Sequence, residues 1–416
     1  MKRLKAMGVI CLVGLMLTGC IPSTPLDEYG YVLSIGVDKG EQKKYSFSFL
    51  IQQEGNSQEN ENGAGGMVLS AEGNSIFEAI STAELGQPYA LNFKRTNYIA
   101  FALDAAKCGL MEEFLDISFV TLKIRQSVKL IVTLGESKEY LEGLNSKQHP
   151  NVAKRQYGLF QNYSSEGVIP MTNLALFFES VSGRRSDPVL AVGALDLSIP
   201  PESEDSTGGG GSGGETGGKG GKGGEEQKKT DPAGTTTGVK RTGGLRSYSK
   251  GCAIFDGMKL VGILDGGDTE MILIARGLYE QGGYSYEDEQ GFYSFHLSSE
   301  SKPKIKLTLG DEPRGTMDVI LYFRMEMDTS RTARNRWEEE VKPTIENYLA
   351  AELQRVFKAC QSLNSDAFAL GKQAAVHFTD AAEWEVYNWK EKYPLLQMDF
   401  RVCLRLEDAN VDITGE

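Results

Sequence analysis

The residues best placed to do chemistry close the leader of this chain: Leu17-Thr18-Gly19-Cys20. A cysteine behind two small residues is the arrangement of a bacterial lipobox. On that reading the Cys20 sulfur takes a diacylglyceryl group, the chain is cut between Gly19 and Cys20, and the new amino terminus is acylated. The flanks agree with it. Lys2, Arg3 and Lys5 make a cationic start, and the apolar run from Gly8 to Leu17 is far short of the ~20 residues that span a bilayer, so it reads as a signal-peptide core. The competing reading is an ordinary secretory signal with a chance cysteine. Acyl chains contribute ~0.8 kcal/mol per buried methylene, enough for two or three of them to hold a soluble body at a membrane without a spanning helix.

The other motifs that could carry chemistry are outweighed by plainer readings. Gly208-x-Gly210-x-x-Gly213 imitates a dinucleotide fingerprint and Gly210-x-Ser212-x-Gly214 a nucleophile elbow, but neither follows a strand or opens a helix. His149, His296 and His377 stand apart from one another, so no catalytic or metal set is built from them. Asp265-Gly-Gly-Asp268-Thr-Glu270 has cation-binding residue types, yet a turn leading into a helix explains it better. Asp408-x-Asn410-x-Asp412 resembles the opening of an EF-hand loop, with Ile413 where glycine is required. Trp384, Trp389, Tyr387 and Tyr393 read as aromatic anchors against a helix rather than as a ligand groove. No catalytic residue, metal ligand or cofactor site is expected.

A formal net charge of −13, more negative once the leader's three cations are removed, opposes nucleic acid and direct adhesion to anionic lipid. With Cys11 in the leader and Cys20 acylated, Cys108, Cys252, Cys360 and Cys403 remain, widely spaced and without a Cys-x-x-Cys pair. Each is expected as a small buried hydrophobe, with a Cys360–Cys403 pairing left open.

The elements that must position these residues follow from periodicity. Strands are expected at 31–38, 45–52, 97–103, 127–134 and 189–197, with helices at 75–85, 111–117, 138–144, 153–163 and 173–181. Tyr45, Phe47, Phe49 and Ile51 alternate with Ser46, Ser48 and Gln52, which predicts a hairpin with one buried face. Ser75 followed by Glu78 is a capping box. Residues 54–66 are a polar loop. Residues 202–244 are glycine-rich and cannot bury enough apolar area to order, giving a flexible coil of ~35 Å root-mean-square span.

Beyond that insert, Gly251–Phe255 and Lys259–Leu264 form a hairpin across Asp256-Gly257. A short helix at 269–275 and strands at 292–297, 304–309 and 316–328 come next. Val341, Ile345, Tyr348, Leu349, Leu353, Val356 and Cys360 then mark a long amphipathic helix with Pro343 in its first turn or at a kink. A last strand carries Met398, Phe400, Val402, Leu404 and Leu406 on one face, and the long helix is expected to cover an antiparallel sheet. The fold class is α+β, with mixed or antiparallel sheets and packed helices in two domains. The organisation expected is a signal peptide 1–19, a tether 20–30, an N-terminal domain 31–201, the insert 202–244 and a C-terminal domain 245–416.

Ala359-Cys-Gln361-x-Leu363-x-x-Asp366-x-Phe368-x-Leu-Gly371, followed by Trp384, Trp389 and Tyr393-Pro394 and then the last strand, resembles the C-terminal domain of the Ger(x)C spore-germination lipoproteins. The Gly251–Leu264 hairpin, the strand ending Ile35-Gly-Val-Asp38-Lys-Gly, Asp187-Pro-Val-Leu190 and the lipobox are similar too, so the resemblance covers most of the mature chain. Two features depart from the family: Ile21-Pro22 follows the lipobox cysteine where a Trp-Asp or similar polar start is usual, and the glycine-rich insert is larger than usual. Loop closure grows only logarithmically with length, so the fold tolerates such an insert.

The resemblance implies a C subunit of a nutrient germinant receptor on the outer face of the inner spore membrane, beside a polytopic subunit with soluble domains and a transporter-like subunit. These are the A- and B-type membrane subunits. The role implied is receptor assembly or signal coupling without catalysis. Two other classes are weighed against it. A lipid-anchored solute-binding protein would need a pair of regular βα lobes around a cleft, and an extracytoplasmic hydrolase would need a nucleophile or metal signature.

Overall fold

The computed structural model describes residues 29–52, 66–144, 152–197, 246–288, 291–325 and 336–406. The leader, Cys20, the tether up to residue 28, the loop at 54–65, the insert 202–244, His149 and the Asp408–Asp412 motif lie outside the described residues.

Two sheets organise the chain. The first collects β1 (Tyr29–Lys39), β2 (Tyr45–Gln52), β3 (Gly66–Gly73), β4 (Ala90–Asn92), β5 (Tyr98–Ala102), β6 (Lys129–Thr133), β7 (Val189–Leu195), β8 (Ser247–Asp256) and β9 (Lys259–Leu264). Its order is β3-β2-β1-β5-β6-β7-β8-β9, with β4 beside the start of β1. The middle is parallel, from β1 through β5 and β6 to β7, and hairpins finish both flanks. Parallel neighbours need long crossovers. Helices α1 (Ile76–Glu84), α2 (Leu103–Lys107), α3 (Leu110–Thr121), α4 (Ser137–Gly143), α5 (Val152–Ser165) and α6 (Leu174–Gly183) lie in the connections.

The hairpin β1–β2 is buried on both sides, not one. Phe47, Phe49 and Ile51 pack with α1, α2, α3 and α6, while Leu33 and Leu50 pack on the opposite face against Tyr140 and Leu141 of α4 and Val152 of α5. Ser34 and Ser48 are buried on this second face as well, where Ser34 exchanges hydrogen bonds with the Gln156 side chain of α5. Alternating polar residues predicted an open face; helices from far along the chain close it. β3 has no clear periodicity, and its residues alone do not predict a strand. Its pairing with all of β2 from Gly66 to Gly73 supplies the order that its own residues lack.

The second sheet comprises β10 (Gln281–Asp288), β11 (Gly291–Ser298), β12 (Lys304–Thr308), β13 (Arg314–Met325) and β14 (Gln397–Leu406). In β13 every second residue, Met317, Val319, Leu321 and Phe323, faces the core, the alternation of a strand with one covered face. Helix α7 (Gly266–Arg276) links the sheets, and α8 (Lys342–Ser362) covers the second one. Ile345, Leu349, Leu353, Val356, Phe357 and Cys360 form the buried stripe of α8. Tyr348 falls outside it and is exposed. Pro343 sits in the first turn of α8, after a π-helical turn at Trp337–Val341 that buries Trp337 against Phe323, ring centroids 4.8 Å apart.

The last strand departs from expectation, because β14 runs parallel to β13, from Gln397 opposite Arg314 to Leu406 opposite Phe323. The stretch between them, with α8 and then α9 (Leu370–Ala375), α10 (Ala381–Tyr387) and α11 (Trp389–Lys392), is a crossover. Leu406 is exposed rather than on the buried face. All four downstream cysteines are free, so Cys360 and Cys403 are not paired. Cys252 and Cys360 are buried, but Cys108 and Cys403 are exposed, because they fall at a helix end and on the open face of β14.

Candidate functional site

The motifs that stand out in the sequence converge where the two sheets meet. Asp187, just before β7, turns its carboxylate into the junction. One oxygen, Oδ1, accepts from Gly257 N at 2.8 Å, in the turn between β8 and β9. The other, Oδ2, accepts from Asp366 N at 2.7 Å and from Lys390 Nζ at 2.7 Å. Lys390, on α11, also donates to Asp256 Oδ1 at 2.6 Å and to the Asn364 carbonyl at 2.9 Å, which uses all three of its protons. Behind them the Arg276 guanidinium, at the end of α7, donates to the carbonyls of Asp187 at 2.7 Å and Ala367 at 2.6 Å.

Asp366 closes the far side. Its Oδ1 accepts from Leu370 N at 2.9 Å, and its Oδ2 from Gly371 N at 2.7 Å and Trp389 Nε1 at 3.0 Å. It thereby holds the first turn of α9, which Ala369 enters with φ 58°, and fixes the indole of Trp389. Gly371 is required here: a Cβ would lie 2.6 Å from Trp389 Nε1 and 2.7 Å from the Arg185 carbonyl. Aromatic rings fill in below, with Trp389 to Tyr393 at 5.9 Å and Phe357 of α8 to Tyr393 at 5.9 Å. Trp384 and Trp389 are buried in this core: Trp389 reaches α8 through Tyr393 and Phe357, while Trp384 packs on Phe378, Tyr387 and Trp389.

The electrostatics of the node follow from its burial and its contacts. Burial pushes the Asp366 carboxyl up to about 6, against the pull of the Gly371 and Leu370 N–H groups and of the Trp389 indole. Burial also pulls the Lys390 ammonium down, but Asp187 and Asp256 together outweigh it and hold it above its ordinary value. Desolvation lowers the Arg276 guanidinium in turn. Every oxygen of Asp187 and Asp366 accepts, and every Lys390 proton is donated. Such a pair is expensive to break on the Asp187 side, since loss of Lys390 strands a buried carboxylate, 3% exposed, away from water.

The remaining motif residues are structural in the same sense. Asp38 accepts from Ser137 N at 2.7 Å and Ser137 Oγ at 2.6 Å, so the end of β1 holds the start of α4. Gly36 leaves room for that contact, since a Cβ would meet Ser137 Oγ at 2.4 Å. Gly251 adopts φ 90°, and a Cβ there would stand 2.4 Å from the Leu264 carbonyl. Asp265 caps α7 by accepting from Asp268 N at 2.8 Å. Among the described residues, no group of three or more His, Cys, Asp or Glu is placed to hold a metal ion. Asp256 stood out in the sequence only as a turn residue, and Arg276 and Lys390 not at all. Their positions beside a turn glycine, a helix C-terminus and a buried tryptophan do not separate them from ordinary surface charges.

The geometry defines a class first: a two-sheet α+β scaffold clamped by a buried acid–base node. Family comparison then supplies the rest. The model described as "Spore germination protein N-terminal domain" matches residues 22–195, and "Spore germination B3/ GerAC like, C-terminal" matches residues 250–409. The chain belongs to the Ger(x)C family of spore germination proteins, whose members are components of germinant receptor complexes. A solved structure titled "Crystal Structure of the GerBC protein" shares the fold, with a TM-score of 0.50 at 11% identity over 89% of this chain and 96% of that one. Comparison with curated proteins found no match. No helix among the described residues is long and apolar enough to cross a membrane.

Proposed function

We propose that this chain is a lipid-anchored, non-catalytic subunit of a nutrient germinant receptor, acting in assembly or signal coupling. Acylation at Cys20, after cleavage between Gly19 and Cys20, tethers it to the extracytoplasmic face of the inner spore membrane, beside A- and B-type membrane subunits. The observation that carries this reading is the node of Asp187, Asp366 and Lys390. It joins the two family-matched halves through saturated hydrogen bonds, which suits a rigid body that transmits position between neighbours. A solute-binding protein needs instead a cleft between lobes that open and close.

The test is isolation of a C-terminally tagged chain from spore inner membranes in mild detergent. Recovery with a transporter-like subunit and a second polytopic subunit, lost on Cys20→Ala, is the expected result. Recovery with an ATP-driven importer instead, or with no membrane subunit, overturns it.

A further inference from the structure

Among the described residues, the second sheet packs its core on one face only. Core residues of β13 and β14 turn to α8, and the alternate residues form an open face. Six cations stand on it: Lys304 and Lys306 of β12, Arg314 and Arg324 of β13, and Arg401 and Arg405 of β14, all exposed. On β12, β13 and β14 the same face has two carboxylates, Asp318 and Asp399, and both lie against Arg401, at 4.0 Å and 3.1 Å. Among the described residues, Lys304, Lys306, Arg324 and Arg405 make no ion pair. Half-buried Ile320 and Tyr322 and exposed Cys403 occupy the middle, with Cys403 opposite Ile320. A cationic face with a central tyrosine contrasts sharply with a chain of net charge −13.

The topology puts this half near the anchor. Strands β1, β5, β6 and β7 run parallel in close register, so Tyr29 and Asp187 lie at the same end of the first sheet. Arg276, from which the chain passes to β10, sits at that end too, 2.7 Å from the Asp187 carbonyl. Residues 21–28 can extend at most ~30 Å, which keeps the body close to any membrane holding Cys20.

We infer that the open face of the second sheet docks on anionic phospholipid headgroups of the membrane to which the chain is tethered, and so sets the orientation of the body; this rests on the lipid anchor proposed above. The acidic remainder is repelled by the same surface, so the charge asymmetry itself selects this face. Attraction acts only within a Debye length of ~8–10 Å. Tethering raises the effective concentration enough for a few basic residues to suffice. An open sheet face with a tyrosine among cations suits a bilayer surface better than it suits a groove-bound peptide.

Cys403 is a built-in reporter for the test. The mature lipidated chain carrying Cys108→Ser is reconstituted in vesicles of phosphatidylcholine alone or with ~30% phosphatidylglycerol, and maleimide reaction at Cys403 is timed. Docking slows the reaction about tenfold on the anionic vesicles only. Salt at ~0.5 M restores it, as does the combined variant Lys304→Glu, Arg324→Glu and Arg405→Glu, whose thermal melt should match the parent's. Flotation with both vesicle types but equal reaction rates overturns the docking and leaves the tether standing. Flotation no better than that of Cys20→Ala overturns both. Protection by soluble poly-glutamate, with none on anionic vesicles, overturns it in favour of an acidic protein partner.

Discussion

Asp187 and Asp366 exchange two hydrogen bonds although they stand 179 residues apart: Asp187 N donates to the Asp366 carbonyl at 3.1 Å, and Asp366 N donates to Asp187 Oδ2 at 2.7 Å. One lies at the start of the strand that closes the parallel array, the other in the turn after the helix that covers the second sheet. Their contact ties the two halves together at a point where neither could satisfy its backbone alone.

The node should therefore behave as a coupled unit. Asp187→Asn is expected to cost about 2–4 kcal/mol and Lys390→Met about 1–3 kcal/mol, the latter reduced because Lys390 keeps some solvent. Urea unfolding of the two single variants and the double variant tests this. The double variant should lose at least ~1 kcal/mol less than the sum; strict additivity would show that the pair does not interact.

Gly371→Ala forces a methyl against a backbone carbonyl and the Trp389 indole. A backbone atom cannot rotate away, so a loss of about 1–3 kcal/mol is expected. Trp389 emission should shift at the same time. Unchanged stability and emission would mean that α9 moves freely with respect to α11.

The pH dependence has a definite sign. Burial raises Asp366 to about 6 and the Glu270 carboxyl of α7 to about 7. Each therefore binds its proton more tightly folded than unfolded, so stability rises as pH falls from about 8 towards the unfolded carboxylate range near 4. The gain should be of order 1–3 kcal/mol. Melting temperature followed across that window checks it, and Glu270→Gln should flatten the upper part of the curve. A wild-type curve that falls on acidification from pH 8 to 5 would contradict the assignment.

Thiol chemistry should divide the cysteines two and two. In the folded chain Cys108 and Cys403 are exposed and should react with maleimide at once. Cys252 and Cys360 are buried, and burial pushes the Cys252 thiol up to about 12, so both should wait for denaturant. Mass spectrometry after brief labelling counts the modified sites. Early modification at Cys360 would mean that α8 lifts from the sheet.

The long helix carries most of the second core. Phe357→Ala should cost about 3–5 kcal/mol, because its ring meets Phe368, Tyr393 and Phe400 at 5.6–5.9 Å. Tyr348→Ala, at the exposed position, should stay within about 0.5 kcal/mol. Comparable losses for the two would contradict the observed rotation of α8.

Sequence by itself determined what depends on neighbours in the chain. The 3.6-residue stripe of α8, the alternation of β13, the Asp256-Gly257 turn and the Ser75 cap, which accepts from Glu78 N at 3.3 Å, are local physics, and they are where periodicity and turn chemistry put them. Tertiary structure decided what depends on partners far away. Whether the Ser48 face of β2 meets water or a helix, whether β14 runs parallel or antiparallel, and whether β3 forms at all are set by crossovers and by pairing across long stretches. The same holds for the junction. Asp187, Asp366 and Gly371 were visible as motif residues and Asp256 as a turn residue, but Lys390 and Arg276 look like surface charges in the sequence. Burial against Asp187 makes these two otherwise, and that burial exists only once the two sheets have met.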